Sequence, residues 1–290
     1  MADPGALRVR LGELARARRA RMGPEREARA PRREPPPGFS APAVGVEEFL
    51  PGGEWRDGPD HDGEPGAVYV HERLRSEIER RRPHWGGVGP APAHEPELAA
   101  LAAHGLEQAL FLDLETCGLA SSTVFLAGTM HWNGEDFVLR QYFARHYGEE
   151  GPLLRALNEA MAGFEHLVTF NGKTFDVPVL QARAIVHGVR LGLPPRHLDL
   201  LHAARRRWRG TFADCRLKTL ESRVCRRRRV GDVPGEEIPG LYHDFVRHGD
   251  PYRLVPVFHH NLLDVITLSD ILRALCRPAP LRVGRVAGGG

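Results

Sequence analysis

Residues 107–115 read EQALFLDLE, a mostly apolar stretch that ends in two acids, Asp113 and Glu115. A short apolar run of this kind predicts a buried β-strand. Side chains two positions apart in a strand point to the same face, so both carboxylates are expected at one place. Mg²⁺ or Mn²⁺, which prefer oxygen ligands, would relieve their mutual repulsion. Taken alone, the pair does not establish a site, because two solvated acids that end a strand give the same pattern.

Further apolar segments follow this strand and give the domain its class. They are STVFLAGTMHW (122–132), DFVLRQYF (136–143), HLVTFNG (166–172) and RHLDLL (196–201), the last either a short strand or the start of a helix. Asn133 and Gly134 suit a hairpin between the first two. Helical spacing over 149–164 and 176–188 separates the later segments. This order predicts an α/β domain over residues 98–277, with a mixed central sheet flanked by helices.

A second acidic signal lies in VTFNGKTFDVPVL at residues 168–180. Asn171 and Lys173 belong to a turn after an apolar strand, and Asp176 stands near the start of the next helix. Together they form a polar trio that is able to meet a ligand, although Asp176 also suits a helix cap. Asp199, at the end of a further short strand, is either a support for the same site or a cap for the helix after it.

The third signal is HHNLLDV at residues 259–265. Apolar residues at helical spacing predict a helix over 256–275 with one buried stripe. His260 and Asp264 are four residues apart and therefore share the other face of that helix, together with Thr267. An acid with a histidine one turn before it is a better candidate for a site than an acid alone.

The segments outside this domain are of different composition. Residues 1–45 are rich in Arg and Pro without a lasting apolar period, which predicts a disordered arm. Residues 46–97 are interpreted as a small accessory element and linker, with a strand at GAVYV (66–70) and a polar helix at HERLRSEIERRR (71–82). Residues 278–290 are expected to form a flexible tail.

Composition excludes several classes of protein. No apolar run approaches the roughly 20 residues of a membrane helix, so an integral membrane protein is not expected. The start of the chain lacks the apolar stretch of a secretory signal, and the cysteines form no CxxC pair, which favours the cytoplasm.

Charge is segregated along the chain. The net charge of the chain is +3, but residues 205–229 carry a local charge of +9. This segment contains eleven basic residues and only two acids, Asp214 and Glu221. Its last four residues, Arg226, Arg227, Arg228 and Arg229, are candidates for phosphate contact, with solvated charge as the alternative.

The three signals together are more specific than any one of them. With DxE on the first strand, NGKxFD after a middle strand and HNxxD on a late helix, the sequence resembles the four-acid (DEDD) exonucleases of the ribonuclease H-like superfamily. Among these it is most similar to the bacterial YprB-like branch. The segments HLDLLHAARRRWRG, CRLKTLE and VPGEEIPGLYHDFVRHGD also resemble that branch. The resemblance extends over residues 46–275.

This resemblance implies a fold, a cofactor and an activity. The fold is ribonuclease H-like, and two divalent cations, Mg²⁺ or Mn²⁺, are held by Asp113, Glu115, Asp176 and Asp264. The implied reaction is 3′–5′ exonucleolytic hydrolysis of DNA or RNA, in which the cations activate water and stabilise the leaving oxygen. The implied substrate contacts, besides the four arginines, are Thr116, Asn171 and Lys173.

His260 has no exact counterpart in the better-studied subclasses. Those subclasses place Tyr four residues, or His five residues, before the last acid, whereas here both positions are His, at 260 and 259. We expect His260 either to act on the attacking water as a neutral imidazole, with the rate falling below about pH 6.5, or to hydrogen-bond a carboxylate. Cys117 replaces a common second Thr. A nucleic-acid-binding or scaffold protein with little catalysis, and endonucleolytic cutting, remain alternatives.

Overall fold

The strand that carries Asp113 and Glu115 lies inside a mixed sheet. The computed structural model describes residues 45–59, 65–79, 95–118 and 122–277. Its strands are β1 (Glu54–Pro59), β2 (Pro65–Leu74), β3 (Ala109–Thr116), β4 (Val124–Trp132), β5 (Phe137–Phe143), β6 (His166–Thr169) and β7 (Arg196–Asp199). They lie in the order β1-β2-β5-β4-β3-β6-β7. Neighbours are antiparallel from β1 to β3, while β6 and β7 run parallel to β3.

Helices cover both faces of this sheet. They are α1 (Val46–Phe49), α2 (Arg75–Ile78), α3 (Pro96–His104), α4 (Glu150–Met161), α5 (Asp176–Val186), α6 (Leu200–Trp208), α7 (Leu217–Arg223), α8 (Ile238–His248) and α9 (Val255–Leu275). One apolar core joins the sheet to α3, α6 and α9, and a second joins its other face to α4 and α5. The predicted α/β architecture, a mixed central sheet flanked by helices, is confirmed.

The period of two in β3 divides its side chains between these cores. Leu110, Leu112 and Leu114 enter the core with α4 and α5. Ala109 and Phe111 enter the core with α9. Since alternate residues share a face, Asp113 and Glu115 continue the row on the α9 side. The same alternation that buries the strand therefore presents two acids beneath α9.

The predicted polar helix over residues 71–82 is wrong in its extent. β2 continues through Leu74, and only Arg75–Ile78 is helical before the described residues end at Glu79. Backbone pairing with β5 continues from Tyr69↔Phe143 to Leu74↔Val138. This pairing outweighs the helical preference of the polar residues. β1 and β2 precede residue 98 in the chain but belong to the same sheet. The predicted domain boundary between residues 97 and 98 stays a prediction.

Parts of the chain lie outside this description. They include the predicted arm at 1–45 except Gly45, most of the predicted linker, and the tail at 278–290. Among the described helices, none combines the length and apolar character needed to cross a membrane.

Gly128 in β4 lets α9 approach the sheet closely. A Cβ at this position would lie 2.3 Å from Asn261 Oδ1 and 2.9 Å from Val265 Cγ2, both on α9. Gly128 is also paired with Asp113 on β3. The close approach of α9 to the acids therefore depends on having glycine, which has no side chain, at position 128 of the neighbouring strand β4.

We expect Gly128→Ala to lower the free energy of unfolding by about 1–3 kcal/mol, because the added methyl group overpacks the interface with α9. Urea denaturation measures this as a lower midpoint. Gly240→Ala on α8 is the matched control, since a Cβ there meets open space. Equal midpoints for Gly128→Ala and the natural protein would contradict the close approach.

Candidate metal centre

Asp113 and Glu115 lie in the part of β3 that extends beyond the end of its parallel neighbour, β6. The pairing of β3 with β6 ends at Phe111↔Val168, while β3 continues to Thr116. The register against β4 shifts between Glu115 and Thr116, which marks a bulge beside the acids. Both carboxylates thus lie at the carboxyl end of β3, the edge at which ligands bind in open α/β sheets.

Asp176 reaches the same place from α5. It is the first residue of that helix and only 3% exposed. The N-cap position of α5 is held by Phe175, so Asp176 is not the N-cap residue. The carboxylate of Asp176 accepts hydrogen bonds from its own backbone N–H, at the start of the helix, and from the backbone of Leu114 in β3. The contact with the start of its own helix, one alternative left open by the sequence, therefore coexists with the contact to β3.

Asp199 holds the turn that precedes α5. Its carboxylate accepts hydrogen bonds from the backbone N–H groups of Asn171, at 2.8 Å, and Lys173, at 3.1 Å. It also caps α6 by accepting from the N–H of Leu201 at 3.0 Å. The predicted cap of α6 is thus present, and Asp199 also supports the turn before Asp176, while its support of a functional site stays a prediction. Asn171 adopts a left-handed φ of 65°, and its side chain is exposed.

The third element, α9, brings His260, Asn261 and Asp264 over β3. Asn261 is fully buried and donates from Nδ2 to Asp113 Oδ2, at 3.0 Å, and to the Asp113 carbonyl, at 3.2 Å. Gln141 of β5 donates in turn to Asn261 Oδ1 at 3.1 Å. His260 Nε2 lies 3.3 Å from Asp264 Oδ2. The carboxylates from β3, α5 and α9 therefore converge.

Burial and mutual repulsion disturb the acids of this cluster. Burial, followed by the charges of Asp264, Glu115 and Asp176, raises the pKa of Asp113 well above its usual value. Burial likewise raises the pKa of Glu115 to about 8, with His260 and Arg229 opposing the shift. For Asp176, burial raises the pKa to about 7 against the effect of its hydrogen bonds. The cluster thus holds more negative charge than its surroundings compensate.

His260 is protonated at neutral pH in this arrangement, contrary to the neutral imidazole expected from the sequence. Burial alone would lower its pKa, but the hydrogen bond to Asp264 and the charges of Glu115 and Asp232 raise it to about 9. Asp232 Oδ1 lies 2.7 Å from the other ring nitrogen, Nδ1. His260 is therefore held between two carboxylates, Asp232 and Asp264.

Arg229 enters the cluster from the basic segment. Only 7% of its side chain is exposed, and it pairs with Asp264 and with Glu221, the latter at 2.5 Å. Arg227 pairs with Glu79 at 2.5 Å and with Asp270 at 2.8 Å. Arg226 and Arg228 are exposed. Phosphate contact by this run stays a prediction, and in this arrangement only Arg226 and Arg228 are turned outward.

Two other residues predicted to contact substrate differ in exposure. Thr116 is buried, and its hydroxyl donates to the carbonyl of Gly118 at 2.5 Å. Lys173 is exposed, and its Nζ lies 4.0 Å from Glu97 Oε1. Lys173 is thus accessible to an anion, whereas the hydroxyl of Thr116 is engaged by its own loop.

The donor set of this cluster fits a divalent cation. In the described part of the chain, no three His, Cys, Asp or Glu side chains are already arranged as a cage for an ion. Both oxygens of Asp264 are engaged, one by Arg229 and one by His260. The remaining donors are carboxylate oxygens with raised pKa values, which suit Mg²⁺ or Mn²⁺ better than a softer metal. A bound cation would supply the charge that these buried acids lack.

Several residues of the site were not predicted from the sequence. Asn261 lies within the HNxxD motif, but the spacing of that motif did not predict its hydrogen bond to Asp113. Asp232 lies outside every motif, and Glu221 and Gln141, although they fall within CRLKTLE and DFVLRQYF, act only through contacts that the fold creates. In the sequence the four consecutive arginines are alike, so no signal distinguished Arg227 and Arg229, which face inward, from the exposed Arg226 and Arg228.

Comparisons with known proteins agree with this architecture. A family model described as the RNase H superfamily matches residues 110–276, more than half of the chain. The uncharacterized protein YprB of Bacillus subtilis (strain 168) is 36% identical over 166 residues, which are 56% of this chain and 40% of YprB. The chain therefore spans less than half the length of that relative.

One solved structure is more distantly similar. It is the family B DNA polymerase of the hyperthermophilic archaeon Pyrobaculum calidifontis, at 15% identity and a TM-score of 0.46. The similarity covers 59% of this chain and 27% of the polymerase.

We expect a divalent cation to stabilise the protein more at pH 8 than at pH 5. The fold raises the pKa of Glu115 to about 8 and that of Asp176 to about 7. Both groups therefore favour the folded state fully when the pH is below the pKa that they have in the unfolded chain. This contribution is lost as the pH rises through the raised values. Mn²⁺ binds the deprotonated acids and restores stability, by about 2.7 kcal/mol at 100 times its Kd.

Thermal unfolding with and without Mn²⁺ at the two pH values measures this difference. Asp176→Asn removes one repelling charge, so it should raise the Tm of the metal-free protein at pH 8 and reduce the shift caused by Mn²⁺. Equal Mn²⁺-induced shifts at both pH values would contradict a site made of raised-pKa carboxylates.

Arg229→Gln should bind Mn²⁺ more tightly than the natural protein, by about tenfold or more, because a nearby positive charge opposes a cation in a partly buried site. Titration calorimetry measures the affinity. Arg227→Gln is the control, since Arg227 is also paired with buried acids but not with Asp264. Weaker binding by Arg229→Gln would instead mean that Arg229 holds Asp264 in place for the metal.

Proposed function

The chain belongs to the RNase H superfamily, and we propose that it is a divalent-metal-dependent nuclease that hydrolyses phosphodiester bonds of DNA or RNA. The observation that carries the proposal is the convergence of Asp113, Glu115, Asp176 and Asp264 at the carboxyl end of β3. Resemblance to the four-acid exonucleases favours 3′–5′ exonucleolytic cutting with two cations, Mg²⁺ or Mn²⁺. We further propose a nucleic-acid partner and a cytoplasmic location.

The charge of the cluster supports an enzyme over a simple binding protein. Phosphate groups are negative, so four carboxylates without a cation would repel a nucleic acid rather than attract it. Burial of Asp113 and Glu115 also destabilises the fold, as their raised pKa values indicate. A protein that only binds nucleic acid gains nothing from this arrangement, whereas a metal-dependent hydrolase requires it.

Each residue of the site would have a separate role in phosphodiester hydrolysis. Bound divalent cations would activate water, orient the phosphodiester and stabilise the departing 3′ oxygen. Asp113, Glu115 and Asp176 would hold the cations, with Asp264 joining them once Arg229 is displaced from it. Asn261 fixes the orientation of the Asp113 carboxylate through its hydrogen bond.

His260 has a position next to the proposed chemistry. Asp232 fixes the imidazole through Nδ1, which leaves Nε2 directed at Asp264. With a pKa of about 9, His260 carries a proton at neutral pH. We propose that it orients water or donates a hydrogen bond to the reacting phosphate, because a protonated imidazole cannot accept a proton as a base.

A catalytically weak nucleic-acid-binding or scaffold protein is the second candidate. The observation in its favour is that both oxygens of Asp264 are occupied by Arg229 and His260. If that pairing persists with a cation present, the site would bind metal poorly and turn over slowly. Activity measurements separate the two candidates.

Asp113→Asn should nearly abolish cleavage, because the amide keeps the shape of the side chain but removes a negative ligand. Asp264→Asn should do the same if Asp264 joins the metal. His260→Ala should bind Mn²⁺ at least as tightly as the natural protein, because it removes a positive charge, and should slow turnover by roughly 10² to 10³, the scale of a lost hydrogen-bond donor to developing charge. Single-turnover cleavage of end-labelled single-stranded and duplex DNA and RNA, with Mg²⁺ or chelator, measures these rates.

Asp244→Asn is the matched control, because Asp244 pairs with Arg253 on the surface and touches no residue of the site. Its rate should equal that of the natural protein. Cleavage by Asp113→Asn at the natural rate, or activity that survives the chelator, would exclude the proposed mechanism.

A further inference from the structure

A basic groove lies beside the acidic cluster, between α7 and the turn that follows α6. Its volume is about 680 Å³, within the range of roughly 300–1,000 Å³ typical of ligand sites. The residues that line it are Thr211, Phe212, Ala213, Lys218, Thr219, Ser222 and Arg223. Phe212 supplies an aromatic ring, while Lys218 and Arg223 supply positive charge.

A short chain of contacts connects this groove to the acids. Lys218 Nζ lies 3.1 Å from Asp232 Oδ2. Asp232 Oδ1 lies 2.7 Å from His260 Nδ1, and His260 Nε2 lies 3.3 Å from Asp264. Two residues, Asp232 and His260, thus separate a wall of the groove from the acidic cluster.

Phe212 is anchored at the edge of the groove. Its ring packs partly against the core that contains α9 and remains partly exposed. The preceding turn is fixed by the left-handed Gly210, with φ of 77°, and by a hydrogen bond of 2.9 Å from Thr211 N to the carbonyl of Trp208. A ring held in this way loses little entropy when a flat ligand stacks on it.

The charges around the groove point to a polyanion. Lys218 and Arg223 are exposed, and Arg223 forms no ion pair within the described residues. The groove belongs to the segment 205–229, whose local charge is +9. A positive groove that includes an aromatic platform is the combination by which proteins bind single-stranded nucleic acid, with phosphates on the cations and an unstacked base on the ring.

We propose that this groove binds single-stranded nucleic acid, with one base stacked on Phe212 and the backbone phosphates on Lys218 and Arg223. The inference rests on the proposed nuclease function and specifies its substrate class. A base inside a duplex has no free face for Phe212, so the groove selects unpaired strands. The inward-facing Arg227 and Arg229 make no contribution to this groove, although the sequence made all four consecutive arginines candidates for phosphate contact.

Binding in the presence of chelator tests the groove without cleavage. The probes are fluorescein-labelled oligothymidylate and oligouridylate, each compared with a blunt DNA duplex by fluorescence anisotropy. Phe212→Leu keeps apolar packing but removes the ring, so it should weaken binding about tenfold, as loss of one stacked base does. Phe212→Tyr restores the ring and should bind as the natural protein does.

Arg223→Gln should weaken binding and reduce the log–log salt slope by about 0.7, the value for one phosphate contact on a single strand. Arg190→Gln is the matched control, since Arg190 is exposed on the loop after α5, on the other face of the sheet. It should leave the affinity and the slope unchanged. Thermal unfolding of each variant verifies that it is folded.

The outcomes separate the groove from the proposed function. If the natural protein binds and cleaves oligonucleotides while Phe212→Leu and Arg223→Gln bind equally well, the groove is excluded and the nuclease stands. Equal affinity of the natural protein for the duplex, or equal effects of Arg190→Gln and Arg223→Gln, would also overturn the inference. If the natural protein neither binds nor cleaves any oligonucleotide, both proposals fail.

Discussion

Repulsion between buried carboxylates is the constraint on which the rest of this structure depends. Asp113, Glu115 and Asp176 lie close together, and burial raises the pKa of each. Such a cluster is stable only if protons, nearby cations or a metal ion compensate its charge. A protonated His260 and the guanidinium of Arg229 supply part of that charge. A divalent cation would be a stronger partner, which links the stability of the fold to its chemistry.

The surrounding fold maintains this cluster through polar contacts as well as apolar packing. Asn261 connects α9 to Asp113, and Gln141 connects β5 to Asn261. Gly128 permits that contact because any side chain there would meet Asn261. On the other side, Asp199 holds the turn before α5 and so fixes where Asp176 begins its helix. Each acid thus has a support in a different element, and the site forms only when the whole sheet is assembled.

Local patterns sufficed for much of this architecture. Apolar runs identified β3 to β7, helical spacing identified α4, α5 and α9, and the acids were found by their positions at the ends of these elements. The structure brings those acids together, and their roles as metal ligands stay proposals. Local pattern failed where a contact distant in sequence decides the outcome. Residues 71–74 are a strand because β5 pairs with them, and Arg229 faces inward because Glu221 and Asp264 bind it. The pairing with β5 and the contact of Arg229 with Asp264 join residues 35 or more positions apart, and such contacts leave no periodic trace in the chain.

The central claim is that the acids at the end of β3 form a divalent-cation site. Crystals soaked in Mn²⁺ and measured for anomalous scattering test it directly, since the ion is located without any assumption about activity. The account predicts an anomalous peak in contact with carboxylate oxygens of Asp113 and Glu115, and loss of that peak in Asp113→Asn. Full occupancy of Mn²⁺ elsewhere on the protein, with none between these acids, would contradict it.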